Sequence, residues 1–248
     1  NKDSLSRTVP MDQIYEMLRK IELNLGKESE IYSAFLKSFI LVDPAVELRR
    51  YVPMVSRLAE REMKEATLLA RRGDVRIFSP VYKPLFSSLV HVFRNSVDHG
   101  IELPAERMAI GKERFGRIEI KTEEGYSADG RVLRIVIQDD GRGLDAEEIR
   151  SKIVRKGLVP FDKAQQLTHE EVFQFIFGEN FSTKDTVTDV SGRGVGLDAV
   201  KVEVARMGGR VWVDPETKVG IRIVLEVPLI DKPVKTQDDP GAKTKSAA

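Results

Sequence analysis

The chain has no cysteine in 248 residues. That excludes a disulfide frame and any thiolate metal site, and it fits a reducing compartment. No run approaches the 18 apolar residues of a membrane span, and no signal-peptide pattern opens the chain. What is present reads as soluble and cytoplasmic, with no membrane contact of its own. Any membrane-linked sensor would lie outside this segment. The first residue is Asn1 rather than Met, which suggests a piece of something longer. Nor is there an excess of one charge: 40 basic residues face 39 acidic ones. Composition therefore gives no electrostatic case for nucleic acid or an anionic membrane. Histidine is scarce as well, with three in the chain, and two of them fall within one short helix.

That helix lies in "LVHVFRNSVDHGIE", residues 89–102. Phe86, Val90, Phe93 and Val97 form an apolar stripe that a core would bury. The other side collects His91, Asn95, Asp98 and His99, where a solvated helix would carry Glu, Lys, Gln or Arg. Before it, residues 1–72 read as helix. Met11, Ile14, Tyr15, Leu18, Ile21 and Leu25 keep a helical period up to Gly26, and Ile31, Phe35 and Phe39 carry a second stripe to Asp43-Pro44. A third, charged helical stretch is expected from about Ala45 to Arg72, broken or kinked near Pro53. This segment reads as a linker or a dimerisation element.

After Gly73 the period changes to that of strands: "RIEIKT" (117–122), "RVLRIVIQ" (131–138), "RVWV" (210–213) and "IRIVLEV" (221–227), the first two joined by a hairpin loop "EEGYSADG". Asp145 with Glu148, and Thr168 with Glu171, fit capping boxes at helix starts. Gly157 and Gly208-Gly209 read as helix stops. Strands with helices between them give an α+β two-layer sandwich over 73–230. The last stretch, 231–248, has no apolar face and reads as a disordered tail.

Two glycine-rich turns need an explanation. "QDDGRGLD" (138–145) ends a strand in a carboxylate and turns through Gly141 and Gly143. "SGRGVGLDAV" (191–200) leads into a helix, where free backbone N–H groups make a phosphate cradle. The long polar stretch between them, which includes "GENFSTKDTVTDV" (178–190), reads as a lid. There is no G-x-x-x-x-G-K-[ST], so this is not a P-loop. "GRGVGL" has Leu197 where a dinucleotide fingerprint needs glycine, and it follows a polar loop rather than a strand.

Together, "HVFRNSVDHGIE", "DDGRGLD", "FSTKDTVTDVSGRGVGLDAV" and the closing "EVPL" resemble the N, G1, F and G2 boxes of histidine-kinase ATP-binding domains. They are most similar to those of the CheA-type chemotaxis kinases of the GHKL superfamily. The resemblance covers 75–230. It implies the Bergerat (GHKL ATPase) fold, an all-α segment before it, and ATP with Mg²⁺ as cofactors. It gives Asn95 the part of metal ligand, an amide oxygen being suited to a hard cation beside a triphosphate. His91 becomes the catalytic candidate, polarising the acceptor. Arg94, Asp98 and His99 would line the nucleotide and phosphate region.

Asp139 would accept from the adenine amine, and Asp140 would be a solvated turn residue. Gly141, Gly143 and Leu144 would lie near the base. Ser182, Thr183 and Lys184 would close on the phosphates, with Ser191, Gly192, Arg193, Gly194, Val195, Gly196 and Leu197 forming the triphosphate cradle. Two departures stand out. Gly220-Ile221 replaces a Gly-Thr pair, and Glu148 replaces a basic residue for which Arg150 or Lys152 would have to substitute.

The resemblance implies a protein-histidine kinase whose partners are a phosphotransfer domain or protein and a response regulator, with a homodimer formed through the N-terminal helices. A nucleotide-binding regulatory module is the alternative. A third reading is ATP hydrolysis driving a clamp, against which "RNSVDHG" and "FST" argue.

Overall fold

The computed structural model describes residues 8–178, 181, 196–214 and 219–234. Chain order begins with α1 (Met11–Leu25) and α2 (Glu30–Phe35), the latter continuing through a π turn at Leu36–Ile40. Ser29 caps α2 by accepting from the Tyr32 N–H. The α2 stripe sits on a different face from the one its periodicity suggested. Tyr32, Leu36 and Ile40 are buried, whereas Ile31 and Phe39 are exposed. The buried face meets Leu18 of α1 and Phe78, with Ile230 alongside, so these helices pack against the rest of the chain.

Next come α3 (Pro44–Leu48), a 3₁₀ turn, and α4 (Val52–Arg61). Pro53 opens α4 rather than kinking it, as proline's fixed φ and missing N–H favour in a first turn. The helix expected to reach Arg72 stops at Arg61, and Ala66–Ala70 is a strand, β1. The backbone reverses at Met63, whose φ is +56°. Leu68 is then buried and β1 pairs in parallel with the next strand, so pairing and burial override the helical propensity of "ATLLA". A boundary at 72 would therefore assign an edge strand of the sheet to the helical segment. Leu48, Val55 and Ala59 likewise belong to the main core.

The chain then runs through α5 (Lys83–Ser88), α6 (Val90–Asn95) with a π turn at Ser96–Gly100, and α7 (Pro104–Ala109). β2 (Gly116–Ser127) and β3 (Gly130–Asp139) form a hairpin longer than expected. Most of "EEGYSADG" is paired strand, and only Ala128-Asp129 turns. After α8 (Ala146–Arg155), α9 (Phe161–Ala164) and α10 (His169–Gln174) come α11 (Asp198–Arg206), β4 (Arg210–Val213) and β5 (Arg222–Pro228).

The sheet order is β1-β2-β3-β5-β4, antiparallel except for β1 and β2. One face carries Ile118, Ile120, Ile135, Ile137, Ile223 and Leu225 against Phe86, Phe93, Val97, Val200 and Val204 of the helices. Each such side chain contributes on the order of 1.5–3 kcal/mol by leaving water. The other face carries a cross-strand charge row, Glu123–Arg134–Glu226–Arg210, with ion-pair distances of 3.2, 2.7 and 2.7 Å. This is the two-layer α+β sandwich. Helices α8 to α10 form a satellite core around Ile153, Val172 and Phe181 at one end of it.

Candidate functional site: a cavity between α6, the β3 turn and α11

Two of the glycine-marked segments meet at the end of β3. The π turn at Ser96–Gly100 closes with Ile101 N–H donating to Ser96 O at 2.7 Å. Such a turn leaves carbonyls without helical partners, and π turns recur at functional sites. Lys64 Nζ, from the α4–β1 link, donates to two of these carbonyls, Val97 O at 2.7 Å and Asp98 O at 2.9 Å. Past the turn, Gly100 touches the loop after β3. Arg142 N–H donates to Gly100 O at 2.9 Å, and a Cβ on Gly141 would fall on the Gly100 carbonyl.

At this crossing Asp139 is 3% exposed. Ser96 Oγ donates to its Oδ2 at 2.7 Å, and the backbone N–H groups of Gly141 and Ile221 donate to its Oδ1 at 3.1 and 3.2 Å. Burial pushes the carboxyl pKa up, with Asp140 adding to the rise, while the three hydrogen bonds pull it down. Gly220 has φ +68°, and a side chain there would strike the Asp139 carbonyl oxygen.

Asp139 stands on the wall of a cavity of about 580 Å³, within the size range of small-ligand sites. Its apolar wall includes Ile137, Leu144, Ile149, Ile176, Ile221 and Ile223. Its polar wall includes Asn95, Ser96, His99, Asp145, Glu148, Lys152, Arg155 and Asp198. Gly143, Gly196 and Leu197 also line it. Lys152 Nζ lies 4.9 Å from the centre of the Phe181 ring.

Of the residues anticipated for the site, Asn95, His99, Asp139, Gly143, Leu144, Gly196 and Leu197 are on this wall. Gly141 contributes its N–H to Asp139 from behind. His91, Arg94 and Asp98 are not on the wall that the described residues form. Arg94 is exposed and His91 half-buried. Partial burial and the nearby Arg94 charge hold the His91 pKa below the ordinary imidazole range, against an opposing pull from Asp198. Ser182, Thr183, Lys184, Ser191, Gly192, Arg193, Gly194 and Val195 lie outside the described residues.

Three expectations are corrected. Asp140 is not a solvated turn residue: its Oδ2 pairs with buried Arg107 at 2.9 Å, and its Oδ1 accepts from Arg117 N–H at 2.8 Å. Arg150 cannot stand in for a phosphate-facing cation, because its guanidinium is buried against the carbonyls of Ala164 and Leu167. Asp145 does cap α8 through the Glu147 and Glu148 N–H groups, but Glu148 turns its side chain to the cavity instead of completing a box. The box at Thr168 and Glu171 is complete.

Sequence reasoning missed Ser96 and Arg155, and it marked Ile221 as a departure without anticipating that its backbone N–H donates to Asp139. Ser96 carried a readable signal. It is a lone hydroxyl in the buried helical row Leu89, Phe93, Ser96, Gly100, and a buried hydroxyl needs a partner.

Among the described residues no helix is long and apolar enough to cross a membrane. The chain is 38% identical over 70% of its length to the gliding motility regulatory protein of Myxococcus xanthus, covering 22% of that protein. It is 35% identical over 88% of its length to the chemotaxis protein CheA of Treponema pallidum, covering 26% of it. With CheA of Listeria innocua the identity is 31% over 92% of this chain and 37% of the relative. The chain thus spans between about a fifth and somewhat over a third of the length of these relatives. Residues 86–231, which contain the cavity and four of the five strands, match the sequence model of the histidine kinase-, DNA gyrase B- and HSP90-like ATPases, and the chain belongs to that family.

Proposed function

We propose that this chain is the ATP-binding catalytic domain of a CheA-like protein-histidine kinase. It transfers the γ-phosphoryl group of ATP to a histidine on a separate phosphotransfer domain or protein, from which a response regulator receives it. The observation that carries the reading is the buried Asp139 carboxylate on the wall of a nucleotide-sized cavity, with Asn95 on the same wall.

In this reading the remaining acceptor capacity of Asp139 takes the adenine amine. Guanine offers an oxygen at that position and cannot donate. Ile137, Leu144, Ile221 and Ile223 suit the faces and edges of a base, and Gly143 lets the chain pass close to it. The donor set also fits Mg²⁺. A single carboxamide, Asn95, adds no charge and leaves the other ligands to phosphate and water. Bound there, Mg²⁺ supplies charge neutralisation on the phosphate oxygens. His91 sits one helical turn before Asn95, and partial burial and the nearby Arg94 charge hold its pKa below the ordinary imidazole range. It is suited to polarise the acceptor imidazole while that group's other nitrogen attacks the γ-phosphorus and ADP leaves. Lys152 and Arg155 supply cations on the cavity wall where Glu148 does not.

The exposed Met17, Leu23, Ile31 and Phe39 of the first two helices support pairing with a second copy of the chain. Near-zero net charge supports the absence of a nucleic-acid partner. Incubation with γ-labelled ATP and a separately purified phosphotransfer domain tests the reading. Acid-labile, base-stable label should appear on that domain. Free phosphate without phosphohistidine would overturn it.

A further inference from the structure

Among the described residues, the largest fully buried side chain is not apolar. It is Arg107, 1% exposed, and it touches no part of the cavity. Its Nε donates to Glu113 O at 2.8 Å, its Nη1 to Glu102 Oε2 at 2.9 Å, and its Nη2 to Asp140 Oδ2 at 2.9 Å. Lys112 joins the same cluster with all three of its donors used: Glu102 Oε1 at 2.6 Å, Asp140 O at 2.9 Å and Gly141 O at 2.8 Å. Two cations thus balance two carboxylates, and Glu102, only 5% exposed, sits between them. Glu102 comes two residues after the π turn of the α6 helix, while Asp140 and Gly141 directly follow Asp139. The cluster ties together the two chain segments that cross at Gly100 and Gly141.

A buried charge cluster is a poor way to gain stability, because apolar residues of the same volume do as well or better. What it does impose is geometry, since each donor must keep its acceptor or leave a buried charge unpaired. The geometry it imposes lies next to the base-reading carboxylate. Lys112 holds the carbonyl of Gly141, whose N–H holds Asp139 Oδ1. Arg107 and Lys112 hold the carbonyl and carboxylate of Asp140.

We infer that Glu102, Arg107 and Lys112 are positioning residues for base selection, a rigid brace that fixes the loop after β3 so that Asp139 discriminates adenine from guanine. The inference rests on the assignment of Asp139 to the adenine amine.

The test compares ATP and GTP affinities, by calorimetric titration of the whole chain, for the parent, Lys112→Met and Glu102→Gln. Lys112→Met removes three donors at similar volume. Glu102→Gln keeps an acceptor while deleting the central charge, and serves if the first variant folds poorly. Losing the alignment of a hydrogen bond to a charged group costs roughly tenfold or more in affinity. The ATP-to-GTP affinity ratio should therefore fall about tenfold in Lys112→Met, through ATP rather than GTP, and by less in Glu102→Gln. Lys112→Arg, which keeps a cation at the site, should recover part of the ratio. Lowered melting temperatures with an unchanged ratio in both variants would overturn the brace and leave a merely structural cluster. A parent that binds ATP and GTP equally would overturn the Asp139 assignment, and the brace with it.

Discussion

Ser96 Oγ donates to Asp139 Oδ2 at 2.7 Å, and both residues are buried. The serine is on the helix that carries Asn95, and the aspartate ends the central strand β3, so this one bond joins the two halves of the cavity wall. It supplies a hydroxyl to the carboxylate at a site where the Gly220-Ile221 pair offers only a backbone N–H. Ser96→Ala removes a donor to a buried carboxylate, worth roughly 1.5–3 kcal/mol. ATP affinity should fall by about tenfold or more on that basis, with a modest loss of thermal stability. Calorimetric titration beside a melting curve reads both. Unchanged ATP affinity would mean that the hydroxyl serves the fold alone.

Asp139 itself links stability to pH. Burial raises its carboxyl pKa above the ordinary range. Between the ordinary and the raised value the folded chain holds a proton that the unfolded chain has released. Stability therefore falls as pH rises through that window. Asp139→Asn keeps the shape without the charge. It should melt higher than the parent at neutral pH, with the gap narrowing as the pH is lowered and the parent carboxyl takes up its proton. The same variant should lose its preference for ATP over GTP. A melting temperature at or below the parent's across the whole range would show that the three hydrogen bonds outweigh burial.

How far the sequence foretold these features follows from what each depends on. Strands β3 and β5 are read directly, because the apolar residues that face the helices alternate in "RVLRIVIQ" and "IRIVLEV", even though β5 is buried on both faces. The helix start at Asp145 and the stop at Gly157 are local chemistry and are equally plain. β1 was hidden because "ATLLA" is a good helix sequence, and its strand state depends on pairing with Gly116–Ile120 some fifty positions later. The roles of Asp140, Arg107 and Lys112 were hidden for the same reason, since charged residues read as solvated until the fold brings their partners to them. That Asn95 and Asp139 share one cavity wall was legible through the motif resemblance. That His91 and Arg94 are absent from the wall formed by the described residues required coordinates.

Asn95 is half-buried on the cavity wall and lies outside the apolar core. Asn95→Ala should therefore leave the unfolding free energy within about 0.5 kcal/mol of the parent's, as for substitutions away from packed features. It should nonetheless abolish the Mg²⁺ dependence of nucleotide binding. Titrating ATP with and without Mg²⁺ in the variant is the check. A Mg²⁺ enhancement equal to the parent's would move the metal site elsewhere.

The last prediction comes from the histidines. A histidine kinase needs an acceptor imidazole on an exposed helix within reach of the nucleotide of its own or a neighbouring chain. The helices before β1 contain no histidine. His91 and His99 flank Asn95 on the helix of the site. His169 opens α10, exposed, with its ring 6.3 Å from that of Phe173, in the first turn after the Thr168 cap. None of the three stands on a long exposed helix of the kind that docks against a partner domain. The chain alone, incubated with γ-labelled ATP and Mg²⁺, should acquire no acid-labile label, while an added histidine phosphotransfer domain should. Label on this chain that disappears in His169→Gln would identify an acceptor inside the segment and defeat the prediction.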